Sequence, residues 1–276
     1  MRLGTRGSAL ALAQAGLVAG LLPGEVEIVP VTTTGDRGDS REDKSRWVKE
    51  LELALLAGEI DLALHSAKDV PSELPDGLAL VGVPGRADPR DQLCGAAALA
   101  DLPRGARVGT SSLRRCAQLR AAREDLEIVA LRGNVDTRLR KLETGSYDAI
   151  VLARAGLERL GLLGSSPGAA IDPGAMTPAP GQGTLVLEGR AGDDAGREAA
   201  ASAHDEGAAA ALAAERTLVR GLEASCHTPL GALARAEGGN LVLESFVGLP
   251  DGSAWLRDRV QGPAAAPEAL GAEAAR

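Results

Sequence analysis

Lys68 and Asp69 set an ammonium and a carboxylate side by side in the run His65-Ser66-Ala67-Lys68-Asp69-Val70-Pro71. The five residues before it, 60–64, are largely apolar and read as a buried strand that this polar run ends. In open α/β sheets, ligands bind outside the carboxyl ends of the strands. Placed there, Asp69 can take up or give a proton and Lys68 can grip an anion. A surface turn capped by Asp69 uses the same residues, so the motif alone leaves both readings open. Arginine supplies a second chemistry. Three stretches combine a glycine, a small hydroxyl or amide and an arginine: Gly4-Thr5-Arg6-Gly7-Ser8, Gly109-Thr110-Ser111-Ser112-Leu113-Arg114-Arg115, and Arg132-Gly133-Asn134 leading to Arg138. At a strand-to-helix corner such residues bring unpaired N–H groups and a guanidinium fork to one spot, which suits an anion.

The flanking pattern supplies those corners. Apolar residues recur at helical spacing over 9–22 with Ser8 as the N-cap, and 25–33 reads as a strand. Residues 37–46 are charge, glycine and serine, a mobile loop, after which Ser45 would cap a helix over 46–57. A strand over 78–83 precedes a charged, proline-containing crossing at 86–91. Strands are expected at 107–109, 127–131 and 147–153, each turning into a helix; the last of these, 155–160, bears Arg159. Pro178-Ala-Pro180-Gly181-Gln182-Gly183 suits a return crossing, followed by a strand over 184–188. Alanine favours a long helix over 204–222. A strand over 241–249 follows, and the Ala/Pro-rich tail from Pro263 is expected to fray.

Composition narrows the function. A chain of 276 residues should hold two or three domains. Two tryptophans, one tyrosine and one phenylalanine give no aromatic platforms, which disfavours nucleic-acid modules built on base stacking. Between Arg104 and Lys141 ten Lys and Arg face four acids, a local +6 in a chain of net −8. A positive block in an acidic protein points to a small anionic ligand. Cys94, Cys116 and Cys226 form no C-x-x-C pair, and the three histidines complete no metal spacing. With no signal-peptide core and no run of about 18 apolar residues, a reduced, cytoplasmic protein away from membranes is expected.

Taken in order, these segments resemble the hydroxymethylbilane synthase (porphobilinogen deaminase) family. The resemblance is carried by residues 4–12, Val48-Lys49-Glu50-Leu51-Glu52, the run 65–71, Asp88-Pro89-Arg90-Asp91, residues 109–115, Arg132-Gly133-Asn134-Val135 with Thr137-Arg138-Leu139, Gly181-Gln182-Gly183, and 222–231 around Cys226. It implies an α/β protein of three domains. Two are periplasmic-binding-protein-like with a double crossover, 1–86 plus 182–201 and 87–181; 202–276 forms a small α+β domain carrying the cofactor cysteine. It implies a monomer that joins four porphobilinogen molecules head to tail on a dipyrromethane cofactor held by a thioether to Cys226. By this analogy Asp69 is catalytic. Lys68, Ser66, Thr110, Ser112, Arg114, Arg115, Arg132 and Arg138 hold the cofactor, while Arg6, Ser8, Arg132, Arg138 and Arg159 hold the substrate. The arginines, standing at helix starts, are expected to serve carboxylates of the ligand rather than the core, since each pyrrole brings an acetate and a propionate.

Cys94 and Cys116 are expected to be buried, inert thiols. One departure stands out: the family usually has two glycines before the cysteine, where this chain has Ala224 and Ser225, each adding a Cβ. Two rival readings remain at this stage, a non-catalytic small-anion binding protein of the same fold and a nucleic-acid-binding regulator using the basic block.

Overall fold

The first strand, β1 (Arg2–Arg6), buries Leu3, Gly4 and Thr5. Gly4 leaves room for Ile60, whose Cδ1 would stand 2.4 Å from a Cβ and would have to shift. The structure is a computed structural model that describes residues 1–34, 47–225 and 227–276. The loop expected at 37–46, the cap expected of Ser45 and Cys226, the expected site of cofactor attachment, lie outside the described residues. Helix α1 (Ala9–Ala19) starts at Ser8, whose hydroxyl accepts from the Ala11 N–H at 3.3 Å. It covers a core of Leu3, Val18, Leu62, Leu64 and Leu187. Strand β2 (Glu27–Val31), helix α2 (Lys49–Leu56), strand β3 (Leu62–Ser66) and strand β4 (Leu78–Gly82) follow. Helix α2 begins later than expected, at Lys49 with Val48 as its N-cap. Strand β3 starts two residues after Ile60, so His65 and Ser66 belong to the strand itself.

From Asp88 the chain builds a second sheet. Strand β5 (Asp91–Cys94), β6 (Arg107–Gly109), α3 (Leu113–Ala122), β7 (Glu127–Val129), α4 (Val135–Glu143), β8 (Ala149–Ala153), α5 (Arg154–Arg159) and β9 (Gly168–Ala170) give the strand order β7-β6-β8-β5-β9. Strands β6, β7 and β8 run parallel, while β5 is antiparallel to β8 and β9. The chain then returns. Strand β10 (Leu185–Arg190) enters the first sheet, order β2-β1-β3-β10-β4, antiparallel to β3 and β4. Each sheet thus takes an antiparallel strand laid down just after a crossing, which is the expected double crossover.

Helices α6 (Asp194–Ala201) and α7 (Glu206–Gly221) lead to a third sheet of β11 (Leu230–Glu237), β12 (Asn240–Gly248) and β13 (Trp255–Pro263), all antiparallel. The tail does not fray: α8 (Pro267–Ala274) packs Leu270, 2% exposed, over this sheet. The strands of each sheet come from one of the three expected spans. By compactness the chain forms two units, Met1–Ala87 with Thr184–Ala213, and Asp88–Gly183 with Ala214–Arg276, so the third sheet belongs to the second unit. Among the described residues no helix is long and apolar enough to cross a membrane.

Candidate active site

In the first unit, β1 and β3 are parallel with Leu3 opposite Leu62 and Gly4 opposite Ala63. Carried two residues on, this register sets Arg6 level with His65 at the carboxyl edge. After Ser66 the chain makes one 3-10 turn, Ala67–Asp69. Buried Ala67 and Val70 pin it on both sides, the Ala67 N–H donating to Thr184 O at 3.0 Å. Lys68 and Asp69 are left half-buried between them. Thr5, Arg6, Gln14, Trp47, His65, Ser66 and Asp69 line a recess there. The Arg6 guanidinium lies 4.0 Å from the Trp47 ring centroid, a cation–π contact. Gln14 Nε2 donates to Ser66 Oγ at 3.4 Å. Among the described residues the Asp69 carboxylate makes no hydrogen bond and no ion pair, Lys68 included. It is therefore free for chemistry.

The second unit places its arginines at the carboxyl edge of β6, β7 and β8. Thr110 Oγ1 accepts from the Ser112 N–H at 3.2 Å and so shapes the corner before α3. Ser112 occupies the N-cap of α3 without a side-chain capping bond. Asn134 caps α4 by accepting from the Thr137 N–H at 3.1 Å, after Gly133 has turned the chain at φ +119°. Arg132 beside it is exposed. Arg138 Nε donates to Gly133 O and an Arg159 terminal nitrogen donates to Gly183 O, each at 2.7 Å. Both side chains are half-buried, and neither meets a carboxylate among the described residues. Burial lowers the pKa of both; the charge of Arg115 adds to the effect at Arg138, while Glu158 opposes it at Arg159. These are desolvated cations without anions, and they fit a ligand rich in carboxylates.

Arg114 and Arg115 differ. The structure puts both in the core, 5% and 6% exposed, against the expectation that they stand clear of it. Each contacts Asp91, which has no exposure, at 2.7 Å. Arg114 also donates to Thr177 O at 2.7 Å and Arg115 to Val151 O at 2.9 Å. Gln182 joins the hub through Nε2, donating to Asp91 Oδ1 at 3.0 Å and Pro89 O at 2.7 Å. Burial pushes the Asp91 carboxyl up, but the two guanidiniums and the bonds from Arg114 and Gln182 outweigh it and hold it well below the usual range. Two arginines on one carboxylate leave one positive charge in excess, close enough to act on Arg138. In the sequence Asp91 and Gln182 stand inside motifs that assign neither a role, because their meeting depends on two crossings 91 residues apart. Gln14, one turn and a half along α1 from Ser8, carries no such signal in the sequence either. Cys94 and Cys116 are buried and free, and burial raises both thiols, as inert cysteines require.

Residues 1–198 match the family described as porphobilinogen deaminase, dipyromethane cofactor binding domain, and 209–276 match porphobilinogen deaminase, C-terminal domain. Relatives named porphobilinogen deaminase span nearly the whole chain. That of Thermus thermophilus is 49% identical over 99% of this chain and 93% of its own. That of a Roseiflexus species is 48% identical over 98% and 92%. That of Deinococcus radiodurans is 47% identical over 99% and 93%.

Proposed function

The chain belongs to the porphobilinogen deaminase family, and from that premise we propose which of its residues perform the family's reaction. It is a transferase of tetrapyrrole biosynthesis, a hydroxymethylbilane synthase. Four porphobilinogen molecules are joined head to tail with loss of ammonia, and water releases the linear product. A non-catalytic anion-binding role is not favoured.

The dipyrromethane cofactor, when bound, supplies the pyrrole carbon that starts the chain. Its residues here are Cys226 for the thioether, with Lys68, Ser66, Thr110, Ser112, Arg132 and Arg138 for its carboxylates. Arg114 and Arg115 contribute the excess charge of the Asp91 hub and the buried Arg114 Nε, which has no partner of its own. Arg6, Ser8, Arg132, Arg138 and Arg159 hold the acetate and propionate of the incoming substrate. Asp69 carries the chemistry. Departure of ammonia leaves a cation on the substrate, and an unpaired carboxylate stabilises it. Bond formation then places charge on a pyrrole N–H, and the same carboxylate receives or steadies that proton. The free Asp69 carboxylate in a recess beside Arg6 is the observation that carries this reading. The spans 1–86 with 182–201, 87–181 and 202–276 serve as its domains. It works as a cytoplasmic monomer without nucleic acid or membrane.

Asp69→Asn tests the assignment. On enzyme whose cofactor loading is known by mass, ammonia release should fall by about 10²–10⁴, the usual loss of a general acid–base group, with a much smaller loss of substrate affinity. A loaded D69N enzyme within a few-fold of the parent sinks it. For Cys226→Ser, intact mass should show no two-pyrrole adduct; an adduct on Cys94 or Cys116 overturns that assignment.

A further inference from the structure

Behind the recess three ionisable side chains from three elements lie away from solvent, near enough for the charges of two to act on the third. Glu52 of α2, His65 of β3 and Glu188 of β10 are 8%, 5% and 0% exposed. His65 Nε2 lies 3.0 Å from Glu188 Oε2. The contact is not aligned as a hydrogen bond, and both Glu188 oxygens lack one. The surrounding charges are engaged elsewhere or point away. On β1, Arg2 pairs with Asp61 and Arg6 lies over Trp47. On α2, Glu50 accepts from Thr34 and Lys49 is exposed. On β10, Arg190 pairs with Asp193. On α6, Arg197 donates to Ala191 O and Glu198 is exposed. His204, before α7, accepts from the Val83 N–H. Strand β4 has no ionisable residue. Among the described residues no other charged group bonds to any of the three.

Two carboxylates and one imidazole with no further cation cannot all be deprotonated cheaply in a dry interior. Burial pushes the Glu52 carboxyl up to about 7, with Glu188 adding to the shift and His65 opposing it. His65 also walls the recess that holds Asp69, and the two are joined by one strand end and one turn. We propose that Glu52, His65 and Glu188 form a buried proton-holding triad that fixes the end of β3 and sets the charge behind Asp69. Glu52, His65 and Glu188 are thus positioning residues for the reaction. Each proton the triad gains or loses changes that charge by one while Asp69 itself is untouched.

The proposal rests on the role of Asp69, so its test separates the two. Loaded parent, Glu52→Gln, Glu188→Gln and Asp69→Asn enzymes are assayed from about pH 5.5 to about 9, and the imidazole resonance of His65, assigned by its loss in His65→Gln, is followed over the same range. The parent should show a kcat/KM limb near pH 7, and the His65 resonance should shift over that range as Glu52 changes charge. In E52Q and E188Q that limb and that shift should vanish or move by about one unit or more, with the change in kcat rather than KM. Should E188Q fail to fold, the near-isosteric E52Q decides. An unmoved limb and an unmoved resonance in E52Q overturn the triad, even if stability changes. A D69N enzyme at parent rate overturns the role of Asp69 and with it the positioning claim, while the resonance still reports on the triad alone.

Discussion

At the scale of single residues, the charges of this protein divide into those that hold the fold and those left for a ligand. Arg115 belongs to the first group. Removing it as Arg115→Ala leaves Asp91 buried with one fewer cation and should cost on the order of 3–5 kcal/mol of stability, read from a urea midpoint. Arg138→Ala and Arg159→Ala remove cations bound only to backbone carbonyls. Their stability should stay within about 1 kcal/mol of the parent, while each lost charge-assisted bond weakens carboxylate binding by roughly 1.5–3 kcal/mol. Equal destabilisation by all three would contradict the division. Glu52 gives a pH-dependent case. Its pKa is raised from 4.5 to about 7, so the folded chain holds a proton that the unfolded chain has already lost between those values. That stabilisation is complete below pH 4.5 and disappears as pH rises through 7. Full loss amounts to about 3 kcal/mol, so Glu52→Gln should match the parent Tm near pH 5 and exceed it by roughly 5–10 °C above pH 8. A constant Tm difference across that range would refute the shift.

At the scale of elements, legibility followed burial pattern. Strands with a clean apolar run, such as β8 with four buried residues in a row, stood out in the sequence. Strand β5 did not, because its Asp91 and Gln92 are polar residues buried for the sake of the arginine hub and Arg154. Strand β13 is exposed at most positions and offers no alternation to read. Helix α8 is hidden by its alanine-rich composition; its docking shows only when Gly271 is seen against Ala214 O, where a Cβ would come within 2.3 Å. The arginine corners were visible, since cap and glycine are local, but which arginine is core and which is free depends on Asp91 from another strand. The pairing of His65 with Glu188 was equally hidden, because it needs the antiparallel register that sets Val186 opposite His65. One local irregularity remains testable. Two residues past the end of α7, Glu223 has φ +49°, the one described non-glycine residue at positive φ. Glycine is the usual occupant of such a C-terminal position, and Glu223→Gly should stabilise the chain by up to about 1 kcal/mol. Two residues on, the Ser225 hydroxyl accepts from the His227 N–H at 3.2 Å.

At the scale of the whole molecule, a net charge of −8 should repel anions, yet the second unit concentrates cations that lack them. Arg138, Arg159 and the surplus charge at Asp91 are tolerable in a protein that carries a polycarboxylate and costly in one that does not. The unloaded Cys226→Ser protein should therefore be less stable than the loaded parent and should recover stability with doubly charged anions that bind the folded state. Sulfate stabilises folded proteins in general by exclusion from their surfaces, so the comparison must be internal. Replacing chloride by sulfate at equal ionic strength should raise the Tm of C226S more than that of the loaded parent. Adding Arg138→Ala and Arg159→Ala to C226S should remove that extra rise while leaving the general one. If sulfate acts equally on all three proteins, the half-buried arginines are not vacant anion sites, and the carboxylates of cofactor and substrate must be held elsewhere, with Arg6 and Lys68 the first to examine.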